Sequence, residues 1–424
     1  MHTYKHMNLI HIKLGNIHSQ HDELNLTGSI LNTMSDENEI DWALLPSDVI
    51  VHVFSFLNTR DLNHAARVCR TWNEAFAHPT LWQTFEAWFF LPSHISYIEG
   101  AKKYGKYMKK VFIGVNQMLT HNRQNACALL EILSRIERRR LTYLKIAFTG
   151  ENPLFYSGQE FLDGLIILFS KVSDNLEAPL TTLQHVDLSG LAVPIDDRVI
   201  DALSENHRGL KYLDIQNKVI ISKTTSDCIL RLVERCRNLT DLRLYYCSIS
   251  NEVLEAFTDD NRADVEHISI ICRREVKFGY EIETEAWEDL TERVPTLRVT
   301  LGFDHTCPYP LIAAILKPVI PVRTLKLETF AICHEEVNLA AVLYSKTLEK
   351  LVLQTRNSLE LEAALIKVAR SCTLLRSLLV YCVVRQETID EIFRLHPDMQ
   401  ERGTYILKTE VEPEPWVVGV EEGD

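Results

Sequence analysis

The segment NLTDLRLYYCSI, residues 238–249, follows the spacing L-x-x-L-x-L-x-x-C-x-I. Leu242 and Leu244 are separated by one residue, which is typical of a short strand with one buried face, because side chains alternate between the two faces of a β-strand. The residues just before it, TSDCILRLVERCRNL (225–239), have apolar side chains three and four positions apart, as on a helix that buries one side. The segment therefore predicts one helix followed by one strand.

Shorter versions of this phrase recur along the chain. Measured at the last inward residue, the ten copies lie at 113, 146, 188, 215, 244, 270, 301, 327, 353 and 380, and six of the nine intervals are 26 to 29 residues long. The copy at Val299-Leu301 is degenerate, with Thr296 in place of the first leucine. The long interval before 188 leaves room in FYSGQEFLDGLIILFSKVSDN (155–175) for a longer helix or an insertion.

A period of this length is that of leucine-rich repeats, which stack into a curved solenoid with strands inside and helices outside. A second helical run, LELEAALIKVARSC (359–372), supports this interpretation. The sequence predicts an α/β fold in which a curved parallel sheet with convex helices occupies residues 108–408. A flexible leader (1–40), a helical module (41–88), a connecting helical segment (89–107) and an acidic flexible tail (409–424) complete the expected organisation.

The residues between the inward leucines should face the concave side of the solenoid, because strand side chains alternate. Neighbouring repeats present a dense polar and aromatic cluster there: Tyr212, Asp214, Asp241, Arg243, Tyr245 and His267. Tyr and Arg are favoured at binding hot spots, so we expect this cluster to bind a protein target. A second interpretation stays open, in which the acidic and basic residues only pair with each other across adjacent strands.

Before the repeats, the segment LLPSDVIVHVFSFLNTRDLNHAARVCRTWNEAFAHPTLW (44–82) predicts three short helices. Val49, Ile50, Val53 and Phe54 form an apolar stripe on the first helix, and Pro46 is suited to its start. Three helices of this size cannot bury all their large apolar side chains among themselves. The module therefore predicts an apolar surface that a partner protein covers.

The same segment resembles an F-box, through Leu45-Pro46, Val53-Phe54, Asp61-Leu62, Trp72 and Leu81-Trp82. The resemblance implies binding to Skp1, and through it to the cullin and RING subunits of a ubiquitin ligase. The residues that it implies as forming or supporting the Skp1 interface are Leu45, Pro46, Val49, Ile50, Val53, Phe54, Leu62, Val68, Trp72 and Trp82. Some of these, such as Val68 and Trp72, are equally consistent with the module's own core. Two late segments, WEDLTERVPTLRVTLGF (287–303) and VRTLKLETFAICHEE (322–336), make the whole chain resemble one branch of repeat-containing F-box proteins.

The composition of the chain argues against several classes of function. The 424 residues contain 45 Lys and Arg against 58 Asp and Glu, a net charge of −13, so we expect no nucleic-acid partner. Apolar runs are too short for a membrane span. Ten cysteines form no C-x-x-C pair, which argues against a zinc site and favours reduced thiols in the cytoplasm or nucleus.

The sequence contains no phosphate-binding glycine loop, nucleophile elbow or metalloprotease helix, and we expect no metal and no cofactor. The expected function is that of a non-catalytic substrate receptor of a Skp1–cullin–F-box ligase, with an unknown protein as target. The alternative is a Skp1-binding scaffold or inhibitor that acts without the cullin.

Overall fold

The computed structural model describes residues 44–57, 59–137, 139–151, 158–170, 183–219, 221–274 and 281–410. The leader at 1–40 and residues 411–424 of the tail lie outside these ranges. The chain divides after Phe76 into two compact units.

The first unit contains three short helices, α1 (Ser47–Phe54), α2 (Thr59–Ala65) and α3 (Arg70–Phe76). Helix α1 begins after Pro46, whose carbonyl oxygen accepts hydrogen bonds from the Val49 and Ile50 amides at 3.0 and 3.2 Å. Proline suits this position because it pre-sets the backbone for the first turn and lacks an amide that would need a partner.

The second unit is built on a parallel sheet in which each strand pairs with the next one along the chain. Over the described residues its strands are β1 (Thr84–Phe89), β2 (Lys110–Val115), β3 (Tyr143–Phe148), β4 (His185–Gly190), β5 (Tyr212–Asp214), β6 (Asp241–Tyr245), β7 (His267–Cys272), β8 (Arg298–Asp304), β9 (Val322–Glu328), β10 (Lys350–Leu353), β11 (Ser377–Val383) and β12 (Tyr405–Lys408). This order is that of a solenoid, and it confirms the predicted α/β repeat architecture.

Helices connect most of these strands and pack against the helices of neighbouring repeats. They are α4 (Ser96–Tyr104), α5 (Thr120–Arg135), α6 (Gln159–Ser170), α7 (Asp197–Asn206), α8 (Ser226–Arg235), α9 (Asn251–Ala256), α10 (Thr284–Arg293), α11 (Tyr309–Ile315), α12 (His334–Leu343), α13 (Leu359–Ser371), α14 (Gln386–Leu395) and α15 (Pro397–Arg402). Helix α8 shows why they form: the Thr225 side chain caps its first turn at Cys228, and Ile229 and Leu232 bury one face.

The core lies between sheet and helices, and the inward leucines of successive repeats are aligned there. Leu213 pairs in register with Leu242, and Leu242 with Ile268, and all three side chains are fully buried. Because the register is kept from strand to strand, the side chains between them form rows on the concave face.

Two strands of the sheet lack the leucine phrase. Strand β1 lies at the end of the range expected for the helical module. A strand forms there because Phe85, Ala87 and Phe89 alternate with exposed residues and pair with β2. Strand β12 buries mainly Leu407. Both end strands contact only one neighbouring strand.

The register shifts once between β8 and β9. Val299 pairs with Val322, whereas Thr300 pairs with Thr324, so β9 carries one extra residue at Arg323. In the degenerate repeat, Leu297 is buried and supplies the apolar side chain that was expected at position 296. As a result, Lys326 lies beside Gly302 in the rows of the concave face.

Candidate functional site

The helical module has a small core of its own. Ile50 and Phe54, one turn apart on α1, are almost completely buried, as are Leu62 and Ala75. The Phe54 ring packs edge-on against the Trp72 ring at 5.4 Å, which joins α1 to α3. These side chains form the module's own core, so an aspartate at position 54 would disrupt the module itself.

The other face of α1 carries exposed apolar side chains. Val49 and Val53 are one helical turn apart and are 44% and 45% exposed, although valine is a residue that proteins usually bury. Leu44, Phe56 and Val68 in the same unit are exposed as well. The structure therefore places an apolar surface on the module, as its composition predicts.

The remaining predicted Skp1-binding residues differ in how far they are exposed and in which unit they belong to. Pro46 is exposed and Leu45 is half-buried at the start of α1, next to Val49 in sequence. Trp82 belongs to the second unit and is only 4% exposed, because its ring stacks on Tyr104 at 3.9 Å and packs near Phe85. In this structure Trp82 has almost no surface to offer a partner, and it stabilises the first repeat instead.

On the concave face, strands β5 to β7 bring most of the predicted polar cluster together. The Arg243 guanidinium donates to Asp241 at 3.1 Å through Nε and lies over the Tyr212 ring at 5.0 Å. The Asp241 carboxylate also lies 3.2 Å from His267 Nδ1, and His267 Nε2 lies 3.0 Å from the Thr300 hydroxyl. The two interpretations of the cluster are therefore compatible: its members pair with each other and remain half-buried at the surface.

Two members of the predicted cluster are buried. Tyr245 lies under the Arg273 guanidinium, 4.2 Å from the ring centre, and its hydroxyl donates to the Asn217 carbonyl oxygen. This contradicts the expected surface position of Tyr245, because Arg273, which follows β7, covers the ring and the loop after β5 binds the hydroxyl. Asp214 is also buried, and its carboxylate accepts a hydrogen bond from the Gln216 amide at 2.9 Å.

Burial raises the pKa of Asp214 to about 6, and the Asp187 and Asp241 carboxylates contribute to this rise. The Gln216 amide and Arg243 act in the opposite direction. Because an aspartate in the unfolded chain titrates near pH 3.8, ionised Asp214 disfavours the folded state above about pH 6, and this penalty disappears at low pH.

We therefore expect Asp214→Asn to raise the free energy of unfolding relative to the wild type by about 1–3 kcal/mol more at pH 7.5 than at pH 4. Urea denaturation at the two pH values measures this difference. Asp241→Asn is the matched control, for which we expect the stability difference between the two pH values to have the opposite sign. Burial alone would raise the pKa of Asp241, but hydrogen bonds from His267 and Arg243 outweigh it and lower the pKa. An equal pH response of the two variants would contradict the assignment.

An aromatic stack next to this cluster is a feature that single repeats do not reveal. The Tyr143 and His185 rings stack at 4.3 Å, and the His185 and Tyr212 rings at 3.8 Å, nearly parallel in both cases. Phe112 extends the row to β2 at 4.9 Å from Tyr143. Aligning the outward positions of consecutive repeats would have shown three of these rings, because Tyr143, His185 and Tyr212 each lie two residues after the first buried leucine of their phrase and pair in register.

The cysteine thiols of the described ranges are mostly buried. In the described ranges, no three His, Cys, Asp or Glu side chains are grouped so that they could hold a metal ion. None of the ten cysteines forms a disulfide. Burial raises the pKa of most of these thiols, to about 12 for Cys127, Cys228, Cys236 and Cys307 and to about 11 for Cys333, Cys372 and Cys382. A thiol with such a pKa stays protonated at neutral pH and is a poor nucleophile.

Comparison with known proteins gives consistent results. A family model described as F-box-like matches residues 42–86. F-box/LRR-repeat protein 8 of Homo sapiens is 29% identical over 380 residues, which cover 88% of this chain and 96% of that protein. F-box/LRR-repeat protein 21 of Mus musculus is 27% identical over 387 residues, covering 87% of this chain and 84% of that protein.

F-box only protein 33 of Homo sapiens is more distant, at 22% identity over 361 residues, covering 73% of this chain and 65% of that protein. The branch suggested by the late segments at 287–303 and 322–336 is that of F-box only protein 39, and this finer resemblance stays a prediction. The F-box-like segment, the repeating parallel sheet and these relatives agree: the chain combines an F-box-like segment with a leucine-rich-repeat solenoid and is similar over most of its length to F-box/LRR-repeat proteins.

Proposed function

We propose that this F-box adaptor is the substrate-recognition subunit of a Skp1–cullin–F-box ubiquitin ligase. The observation that carries the proposal is the apolar surface of the helical module around Val49 and Val53. Burying half-exposed valines under another subunit is favourable by roughly 25 cal/mol per Å² of apolar area. In this proposal Skp1 covers that surface, with Leu45, Pro46 and Val68 at its border.

The repeats hold the target in the proposal. Tyr212, Asp241, Arg243 and His267 are half-buried on the concave face, and their rings and charged groups fit a protein surface better than a small molecule. Tethering a target beside the ubiquitin-charged enzyme raises its effective concentration at the transfer site. The receptor then needs no reacting side chain of its own, so we propose a non-catalytic role.

We place this role in the cytoplasm or nucleus, because ten cysteines without a disulfide suit a reducing compartment. Among the described residues, no helix is long and apolar enough to cross a lipid bilayer.

Affinity purification of the tagged chain from cells tests the proposal. We expect Skp1, a cullin and a RING subunit to be recovered together with the chain. Recovery of Skp1 without the cullin and the RING subunit would contradict the ligase assignment and would favour a scaffold or inhibitor that acts through Skp1 alone.

A further inference from the structure

The last repeats present an excess of positive charge on the concave face. Arg298, Lys326 and Lys350 occupy outward positions of β8, β9 and β10, since their strand neighbours face the core. Lys326 pairs with Val352, two positions after Lys350, so the two ammonium groups lie on adjacent strands. Arg298 reaches an acidic side chain, that of Glu266, only at 4.0 Å.

The middle repeats have the opposite balance. On the concave side of β4 to β6, the three carboxylates of Asp187, Asp214 and Asp241 outnumber the single cation, Arg243. Lys145 lies 3.0 Å from Asp187, and Arg243 lies 3.1 Å from Asp241. In β8 and β9 the outward acidic residues lie at the carboxyl ends of the strands, where Asp304 pairs with Arg273. The end of the solenoid near β12 is therefore the part of the concave face best suited to an acidic partner.

Apolar side chains lie next to these cations. Leu379 and Tyr381 are outward and half-buried on β11, and Leu379 pairs in register with Val352 of β10. At the rim beyond β9, Phe330 is 53% exposed and has a φ of 55°, a backbone conformation that a bulky residue rarely adopts. A strained, exposed aromatic residue is typical of binding sites. The surface therefore suits a segment that combines carboxylates with large apolar residues.

The chain itself contains such a segment. Residues 411–424, VEPEPWVVGVEEGD, carry five acidic residues, no basic residue and one tryptophan. Strand β12 ends at Lys408, and β8 is four strands away, about 19 Å at the usual strand spacing. An extended segment of this length spans about 46 Å, so it can reach every strand from β11 to β8.

We propose that residues 411–424 dock on the concave surface of β8 to β11 of the same chain. Glu412 and Glu414 then lie over Lys326 and Lys350, where opposite charges attract across a partly desolvated surface.

Trp416 packs against Leu379 and Tyr381 in this arrangement, in line with the large apolar area that tryptophan contributes to interfaces. The docked segment would compete with a target for the last repeats and leave the cluster around Arg243 open. This consequence for target access rests on the proposed function, whereas the docking does not.

Photo-cross-linking in the full chain tests the docking. With Trp416→p-benzoylphenylalanine, irradiation is expected to join the tail to the tryptic peptide 377–385, which contains Leu379 and Tyr381. Lys326→Glu combined with Lys350→Glu should lower the yield about fivefold. Raising NaCl to 0.5 M should lower it as well.

The matched control is the pair Lys109→Glu and Lys110→Glu, two exposed residues at β2 that give the same change of charge. This control should keep the yield, and Glu412→Lys with Glu414→Lys should restore it in the Lys326/Lys350 variant. Adducts spread over other surfaces, adducts between differently isotope-labelled chains, or an unchanged yield in the Lys326/Lys350 variant would overturn the proposal. Capture of Skp1 should be the same in all these variants, which separates this test from that of the proposed function.

Discussion

Replacing Val49 and Val53 by glutamate is expected to weaken Skp1 binding at least about 100-fold, because it removes two apolar contacts and places two charges in a surface that must lose its water. Both side chains are half-exposed, so the module should keep its own core of Ile50 and Phe54. Titration of purified full-length chain with purified Skp1 measures the loss of affinity.

Arg70→Glu is the matched control for this variant. Arg70 lies on α3, its side chain is exposed, and its contact with Glu74 at 3.4 Å is a surface ion pair of small energetic value. The change in charge has the same size and sign as in the double valine variant. Equal loss of Skp1 in the control and in the double variant would show that charge alone, and not the apolar row, determines binding.

Replacing Glu362 by alanine is expected to destabilise the last repeats by about 2–4 kcal/mol. The Glu362 side chain is 2% exposed and accepts hydrogen bonds from Asn357 at 2.9 Å, Arg385 Nε at 2.6 Å and the Thr388 hydroxyl at 2.7 Å. It thereby joins α13 to the start of α14, and its loss leaves the buried Thr388 hydroxyl without this acceptor. Urea denaturation measures the loss, and hydrogen exchange of the β11 and β12 amides locates it.

The pH dependence of the stability loss in Glu362→Ala distinguishes the loss of these hydrogen bonds from the effect of a cavity alone. Burial raises the pKa of Glu362, but hydrogen bonds from Asn357, Arg385 and Thr388 outweigh it and lower the pKa below the usual value. The stabilisation is therefore present above about pH 4.5 and is lost as the pH falls through the lowered pKa. The difference between wild type and Glu362→Ala should shrink near pH 3. Glu387→Ala, at an exposed glutamate in the first turn of α14, should change stability little at any pH.

The sequence predicted the middle of the solenoid well, because each inner strand must bury both its leucines against two neighbours. Leu242 and Leu244 are fully buried as their spacing predicts. The ends were harder to predict. Strand β1 begins at Thr84 with aromatic residues and alanine in place of leucines, and the register shift at Arg323 has no counterpart in the period. Such features depend on contacts between repeats, which no single repeat specifies.

The candidate sites likewise depend on contacts that a single repeat does not specify. The apolar face of α1 follows from its helical period, and the structure separates it into buried Phe54 and half-exposed Val53. Tyr245 has the residue type and spacing of a surface residue, but the Arg273 side chain from a later repeat covers its ring. Stacking of Tyr143 on His185 likewise requires the alignment of two strands that are far apart in sequence.

The most direct test of the central claim is to mix purified full-length chain with purified Skp1 and to measure the mass of the product by light scattering. The account predicts a stable one-to-one complex, which the Val49→Glu/Val53→Glu variant does not form. A chain that stays monodisperse and leaves Skp1 unbound at micromolar concentrations would contradict the account.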